Sequence, residues 1–597
     1  MTVTPIVYAD SGREFEVLTK TKGLDVLFIN MPPVSPELFN DDPTSGSNLS
    51  PPLGLLYLAN AISNKDFVNS YRCADFSVSE FRNLANESDL RAIVRRILTR
   101  TQADAPDVVG ISLMFSSAYE FFRLTLSEAH DLWPHSKIIA GGIHASNTVE
   151  FLLSDNDCLD YVMCGEGESG FVDFLDAIYN NMPLAIKGLH SRDNVKRMGP
   201  IAFEKTDYVE DLNLDYTRHA KLLNMSKYTS DTSAFSLSKT TVSTPSFAVM
   251  TSRGCPYHCT FCASHTVHGR GMRHRSFDNV IDEVYWLYEQ YGVSKIYLWD
   301  DNFVPKDKAI ELFRLLGEVT IPDFEIVIQN MSINATNFEI IDAIADAKIT
   351  NLAFAIESGS KATQKKIKKY VKLDKALELV RYSQQKGLNV RCFYIVGFPG
   401  ETMADMKDTI EYAKFLAADW STFSVASPIP GSEMYTEFVQ LGYIKDGPAA
   451  WKAATLRERL FDTKEISARD IKELAYRGNL EVNFIDNTYI RNGDYQNAEM
   501  VFSNFVKQYD FHIFGYDCLR RIYRETGQND KEKRIVSTMI DLIKTNPRAQ
   551  SFSKYFDLLD DDIQKTLNSQ KGLSREKFNY GLDSGTQPFT SGLADIA

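Results

Sequence analysis

Between residues 247 and 446 short apolar runs recur six times, each followed by a segment of helical periodicity. Strands are expected at 247–251, 295–299, 325–330, 351–356, 390–396 and 421–426. Helices are expected near 278–291, 306–317, 336–346, 360–369, 374–386 and 402–418. Strands separated by helices cannot pair as hairpins, so they lie parallel in one sheet with the helices packed outside. Six such units predict a partial (β/α)6 barrel with its chemistry at the carboxyl ends of the strands. Those ends carry Arg253 to Cys262, Asp300-Asp301-Asn302-Phe303, Gln329-Asn330, Glu357-Ser358-Gly359-Ser360, Gly397 to Thr402 and Pro428 to Gly431. A barrel with no chemistry to perform would not need polar or turn residues at all six.

The first of these ends holds Cys255-Pro256-Tyr257-His258-Cys259-Thr260-Phe261-Cys262, three cysteines at spacings of four and three. Thiolates are the usual ligands of iron–sulfur clusters. Three ligands on a four-iron cluster leave one iron open for a substrate or cofactor. A structural zinc site would want a fourth ligand at characteristic spacing; His258 lies too close between two cysteines, and no second Cys-x-x-Cys follows. Cys73, Cys158, Cys164, Cys392 and Cys518 are scattered and read as small buried hydrophobes.

The Cys-x-x-x-Cys-x-aromatic-Cys pattern resembles that of the radical S-adenosylmethionine enzymes. The resemblance implies a 4Fe-4S cluster on Cys255, Cys259 and Cys262, whose open iron chelates S-adenosylmethionine so that an electron cleaves the sulfonium to a 5′-deoxyadenosyl radical. It gives the other rim residues roles as well. Asp300 and Asp301 accept hydrogen bonds from the methionyl ammonium or otherwise order the cluster side of the site, or simply form a helix cap ahead of Pro305. Gln329 and Asn330 hydrogen-bond the ribose or carboxylate, and Glu357-Ser358 matches a Glu-Ser pair that relatives place beside the cofactor. Gly397 and Gly400 let the backbone approach the adenine. Phe261 packs near the adenine, or only shields the cluster from water. Arg253 either pairs with a carboxylate or packs on the connector. His265, His268 and His274 read as surface or loop residues.

The N-terminal third alternates in the same way. Strand 24–30 is followed by a helix from Pro51-Pro52, strand 107–112 by helix 117–133, and strand 136–140 by Gly141-Gly142-Ile143-His144. Strand 159–163 runs into Gly165-Glu166-Gly167-Glu168 and a further helix. Glycine loops after parallel strands imply a doubly wound sheet that binds its ligand beyond the strand ends. The runs Pro51 to Ala59, Val109-Gly110-Ile111-Ser112, Ala140 to Ala145 and Gly165 to Glu168 resemble the cobalamin-binding domain that precedes many radical S-adenosylmethionine cores. That likeness places Ser112, Gly141, Gly142, Gly165 and Glu166 at a corrinoid. One departure stands out: residues 31–50 contain no histidine, where corrinoid domains with a lower cobalt ligand carry Asp-x-His-x-x-Gly. His144 is read as a helix cap or loop hydrogen-bonder rather than as a cobalt ligand.

The resulting expectation is an α/β chain of six parts. These are an N-terminal extension (1–23), a Rossmann-like cobalamin-binding domain (24–185), a polar linker (186–245), a radical S-adenosylmethionine core (246–446), an all-helical domain (447–576) and a disordered tail (577–597). Helical hairpins in the last domain weakly resemble tetratricopeptide repeats, but they are too few for a solenoid. At 597 residues, about three to four domains are expected. The net charge of −14, with no basic run evident, argues against nucleic acid. No stretch is apolar enough for a membrane span or a signal peptide, and eight cysteines, three of them clustered, suit a reducing cytoplasm better than a disulfide framework. The combined resemblance implies methylation of an unactivated carbon or phosphorus through the deoxyadenosyl radical and methylcobalamin. The substrate would be a small molecule or peptide, and the electron donor an external protein of flavodoxin or ferredoxin type. Oxidative cyclisation, ring contraction or isomerisation within the same architecture is the alternative.

Overall fold

The computed structural model describes residues 23–32, 51–77, 87–198, 204–229, 245–347, 349–452 and 459–570. The expectations for the N-terminal extension up to residue 22, for most of the histidine-free loop 31–50 and for the tail 577–597 lie outside the described residues.

The first sheet is built from β1 (Leu24–Asn30), β2 (Val68–Asp75), β3 (Val108–Ser112), β4 (Lys137–Gly141), β5 (Tyr161–Met163) and β6 (Leu189–Ser191), in the order β2-β1-β3-β4-β5-β6. All neighbours are parallel except β5 and β6. Central strands of such a sheet are covered on both faces, which is why Leu27, Phe28 and Ile29 follow one another without a polar residue and are fully buried. The span expected to be a linker therefore supplies an edge strand of this sheet, β6.

The second sheet contains β7 (Ser246–Val249), β10 (Lys295–Leu298), β11 (Glu325–Met331), β12 (Asn351–Glu357), β13 (Asn389–Val396) and β14 (Trp420–Val425), with the short hairpin of β8 (Ser252–Arg253) and β9 (Arg273–His274) inserted after β7. The order β14-β13-β12-β11-β10-β7 is wholly parallel and open between its two end strands, a partial barrel. Its outer helices match the expected positions within a few residues, for example Phe277–Tyr291, Lys306–Gly317 and Met403–Leu416.

An exposed sheet edge is a site for unwanted pairing. Here β14 is covered by the C-terminal helices. The amide of Asn483 accepts from Ser421 N at 2.7 Å and donates to Ser421 O at 2.7 Å, so one side chain stands in for a neighbouring strand. Asn483 lies in a π-helical turn, Glu481–Ile485, that widens the helix where it meets the strand. The two sheets also share packing. One apolar cluster runs from Phe28 and Phe174 through Leu222 and Met225 to Val249 and Ile296.

Candidate cofactor site between the two sheets

After β7 the chain is held by Asp300, at the end of β10. Its buried carboxylate accepts from Thr251 N at 3.1 Å, Thr251 Oγ1 at 2.8 Å and Ser252 Oγ at 2.6 Å. Burial lifts this carboxyl to about 6 against those bonds. Gly254 then turns at φ +96°, where any Cβ would collide with the carbonyl of Gly271. The cysteine loop that follows is clamped in the middle: Thr260 N donates to Ile367 O at 3.0 Å, and Met434 N donates to Thr260 O at 2.8 Å.

Cys255, Cys259 and Cys262 are free and partly exposed. Burial raises all three thiols, that of Cys262 to about 12, and the nearby charges of the other thiols add to it for Cys259 and Cys262. The ammonium of Lys369 acts the other way on Cys255 and Cys259. Among the described residues no three His, Cys, Asp or Glu side chains converge on the position of a single ion. Three thiols on one eight-residue loop, two of which feel the charge of their neighbours, fit a multi-iron cluster, whose thiolates sit on separate irons.

Around this loop the expected rim residues divide into two groups. Asp301 is exposed and accepts from Ser264 Oγ, while Asn330 Nδ2 donates to Asp301 O at 3.3 Å and Gln329 lies half-buried beside it on β11. Glu357 closes β12 at φ +70° and pairs with Lys369 at 3.3 Å. Phe261 sits 5.8 Å from Phe398. Ser358, by contrast, is spent on the scaffold: its hydroxyl lies 3.0 Å from Thr409 Oγ1 and accepts from Ser360 N at 3.1 Å. Gly397 also serves the loop itself, its N–H donating to Glu401 Oε2 at 2.6 Å and its carbonyl accepting from Arg459 Nη1 at 2.7 Å. Gly400 turns at φ +66° beside Lys366.

On the first sheet, Ser112, Gly141 and Gly142 sit at the ends of β3 and β4, and Gly142 at φ +106° lies hard against Leu113 O. Met114 and Phe115 follow Ser112 and are 45% and 51% exposed. Large apolar side chains left open at a strand-end edge suit the face of a broad, flat ring system such as a corrin. Sequence reasoning missed them, although the apolar run Leu113-Met114-Phe115 straight after Ser112 was there to be read. His144 is buried, with Nδ1 2.8 Å from Ser116 Oγ and its ring against Trp451 at 4.5 Å. Burial holds the imidazole neutral, at about 3.

Gly165 turns at φ +92° against Thr206, and the next residue reaches across to the cysteine hairpin. Glu166 takes a bidentate pair from Arg273 (Nη1 at 2.6 Å, Nη2 at 2.7 Å), bonds His268 Nδ1 at 2.8 Å and accepts from Val209 N at 2.8 Å. Arg253 lies 3.6 Å from Glu166 and 2.6 Å from Glu168, its guanidinium over the Tyr57 ring at 4.2 Å. Burial alone would raise the Glu166 carboxyl, but Arg273, His268 and Arg253 more than offset it and hold it at about 2. Arg253 stands two residues before Cys255, so the loop after β5 and the cysteine loop share one ion network. The carboxylate expected at a corrinoid is thus committed to the hairpin, through Arg253, His268 and Arg273.

The sequence profile of the radical SAM superfamily matches residues 249–413, and that of the B12-binding domain matches residues 45–175. A cytidylyl-2-hydroxyethylphosphonate methyltransferase of Streptomyces wedmorensis is 30% identical over 406 residues, 63% of this chain and 75% of that protein. The chain belongs to the cobalamin-dependent radical S-adenosylmethionine enzymes. An uncharacterized methyltransferase of Pyrococcus horikoshii is 27% identical over 71% of this chain and 86% of its own length. Among solved structures, the radical S-adenosylmethionine methyltransferase TsrM from Kitasatospora setae has the same fold, with a TM-score of 0.53 and 17% identity over 71% of this chain and 78% of its own. The cobalamin-dependent radical enzyme OxsB has a TM-score of 0.54 and 13% identity over 92% of this chain and 84% of its own. As a member of this family the enzyme uses S-adenosylmethionine, a 4Fe-4S cluster and cobalamin, and its chemistry is that of a methyltransferase. No helix among the described residues is long and apolar enough to cross a membrane.

Proposed function

We propose that the enzyme methylates an unactivated carbon or phosphorus centre of a small-molecule or peptide substrate held between the two sheets. The observation that carries this reading is the network of Glu166, Arg273, His268 and Arg253, which ties the loop after β5 to the hairpin bearing the cysteines. When bound, the cluster supplies the electron that opens the sulfonium and the corrinoid supplies the methyl group. The chain's own residues fix where those two events meet. Cys255, Cys259 and Cys262 hold the cluster, and the Lys369 charge offsets the accumulation of thiolate beside Glu357. Asp301, Gln329 and Asn330 present polar atoms to S-adenosylmethionine at the ends of β10 and β11. Asp300 and Ser358 are positioning residues, with Gly397 and Gly400 shaping the loop below the adenine. Ser112, Gly141, Gly142 and Gly165 let the corrinoid approach the backbone, and Met114 and Phe115 pack against it. Reducing equivalents arrive from an external flavodoxin- or ferredoxin-type protein, in the cytoplasm.

Anaerobic turnover with methyl-labelled S-adenosylmethionine tests the reading. Label is expected in the product together with 5′-deoxyadenosine. Deoxyadenosine with an unlabelled, cyclised or rearranged product would replace methylation by one of the alternative outcomes. Exchanging Cys255, Cys259 and Cys262 for Ala should abolish bound iron and sulfide; retention of both would overturn the cluster assignment. His144→Ala should still bind a corrinoid, because the imidazole is buried in the fold, with Nδ1 beside Ser116 Oγ and the ring packed edge-on against Trp451.

A further inference from the structure

Residues 361–372, Lys-Ala-Thr-Gln-Lys-Lys-Ile-Lys-Lys-Tyr-Val-Lys, hold six lysines and no acidic residue in a chain of net charge −14. The sequence reading that found no basic run passed over them. The structure gives the run a location. The short helix Lys361–Lys366 follows β12, and the carbonyl of Ile367 in the next turn accepts directly from Thr260 N, between Cys259 and Cys262. Lys369 points inward to Glu357, while Lys366 and Lys368 pair with Glu437 and Glu433 at 3.1 and 2.6 Å. Lys361, Lys365 and Lys372 are exposed, and none of them makes an ion pair among the described residues. Tyr370, 59% exposed, stands in the same segment.

We propose that this lysine face is the docking surface for an acidic one-electron donor protein, of the flavodoxin or ferredoxin class. The inference rests on the functional reading above, in which the cluster must be reduced from outside. The remaining described cysteines are single and separate, so they offer no second cluster to relay an electron. An enzyme of net charge −14 repels an acidic partner over most of its surface, so a local excess of positive charge decides both whether and where the partner lands. This excess adjoins the strand of chain that carries Cys259 and Cys262, separated from it by the single hydrogen bond Thr260 N to Ile367 O. A donor seated there passes one electron to the cluster and is itself oxidised by one electron; no proton transfer on this chain is needed. Redox encounters of this kind are small and weak, and they rely on charge steering more than on buried area.

The test uses the reconstituted holoenzyme and its Lys361→Glu/Lys365→Glu/Lys372→Glu variant, with a purified acidic flavodoxin as the probe. Two quantities are measured across ionic strength: the affinity for oxidised flavodoxin, and the rate at which reduced flavodoxin bleaches the cluster. At low salt the variant should lose roughly tenfold or more in both, and the salt dependence seen in the native protein should disappear. A milder Lys→Gln triple variant should fall between. Reversal of Lys507, Lys533 and Lys544, which lie on the C-terminal helices, makes the same change in net charge and should have little effect. Dithionite-driven cluster reduction and deoxyadenosine formation should be unchanged in every variant, which separates this surface from the functional reading. If the native protein fails with dithionite, that reading fails. If it succeeds while the lysine variant takes electrons from flavodoxin at the native rate and salt slope, the docking surface is wrong. Loss of RNA binding in the variant with flavodoxin reduction intact would reassign the face to nucleic acid.

Discussion

Glu166 and Glu401 both follow a parallel strand, one in each sheet, and both are nearly inaccessible, at 3% and 2% exposure. Their charge states differ because their partners differ. Glu166 meets two guanidiniums and an imidazole from another part of the chain, and its carboxyl is held at about 2. Glu401 meets neutral donors from its own neighbourhood, Gly397 N at 2.6 Å, Phe398 N at 3.0 Å and Thr363 Oγ1 at 3.1 Å, and burial pushes it up to about 7. Neutral hydrogen bonds shape a loop but do not match the desolvation of a charge, whereas a bidentate arginine does. Glu166 is therefore a fastening between the two cofactor-bearing parts, and Glu401 a brace within one of them.

The most severe way to break this contrast is truncation. Glu166→Ala leaves Arg273 buried without its bidentate counter-charge, while Arg253 keeps Glu168, and should cost about 3–5 kcal/mol. Glu401→Ala leaves two buried N–H groups unsatisfied and should cost roughly 1–3 kcal/mol. Denaturant unfolding of the two variants measures the difference. Equal losses would mean that the network around Glu166 holds nothing beyond ordinary hydrogen bonds. Limited proteolysis adds a second distinction, since only Glu166→Ala should expose the segment around Val209, whose N–H Glu166 holds.

Acidity sharpens the comparison, because the two residues respond with opposite sign. Glu401 keeps its proton in the folded protein between its ordinary 4.5 and about 7. The folded state thus binds more protons, and this contribution to stability declines as pH rises through that window. Glu166 is ionised in the folded protein down to about 2, so its contribution is fully present above 4.5 and is lost as pH falls toward 2. Each effect amounts to about 3–3.5 kcal/mol at most. Glu401→Gln should flatten the near-neutral limb of the stability profile and leave the acid limb, and Glu166→Gln should do the reverse. A profile unaltered by either substitution would show that the two carboxyls do not titrate in these ranges.

The same two residues show what was legible in the sequence. Central strands of both sheets were readable because burial on two faces forces continuous apolar runs. The edge strands β2 and β6 were not, since Val68–Asp75 is largely half-exposed and Leu189–Ser191 is three residues long. The cysteine loop is local and carries its own spacing. Glu401 sits in a turn whose glycines and proline announce it. The partners of Glu166 are 102 and 107 residues away, and no periodicity links a carboxylate in one strand-end loop to an arginine in a distant hairpin. Ser358 errs in the other direction: its place in a familiar Glu-Ser pair suggested a cofactor contact, and packing turned its hydroxyl into the core toward Thr409.

The smallest effect separates the members of the Glu166 set. His268 bonds the same Oε1 that Arg273 Nη2 already holds, and its side chain is 31% exposed where that of Arg273 is 9% exposed. Water can replace the imidazole at that exposure, and both carboxylate oxygens keep an arginine. His268→Ala should therefore cost only about 1 kcal/mol, against a loss several times larger for Arg273→Ala, which strips the bidentate pair and leaves Glu166 buried with a single poorly placed guanidinium at 3.6 Å. A thermal or denaturant midpoint for each variant decides the ranking. If His268→Ala matched Arg273→Ala, the imidazole would be as much a part of the fastening between the two sheets as the bidentate arginine.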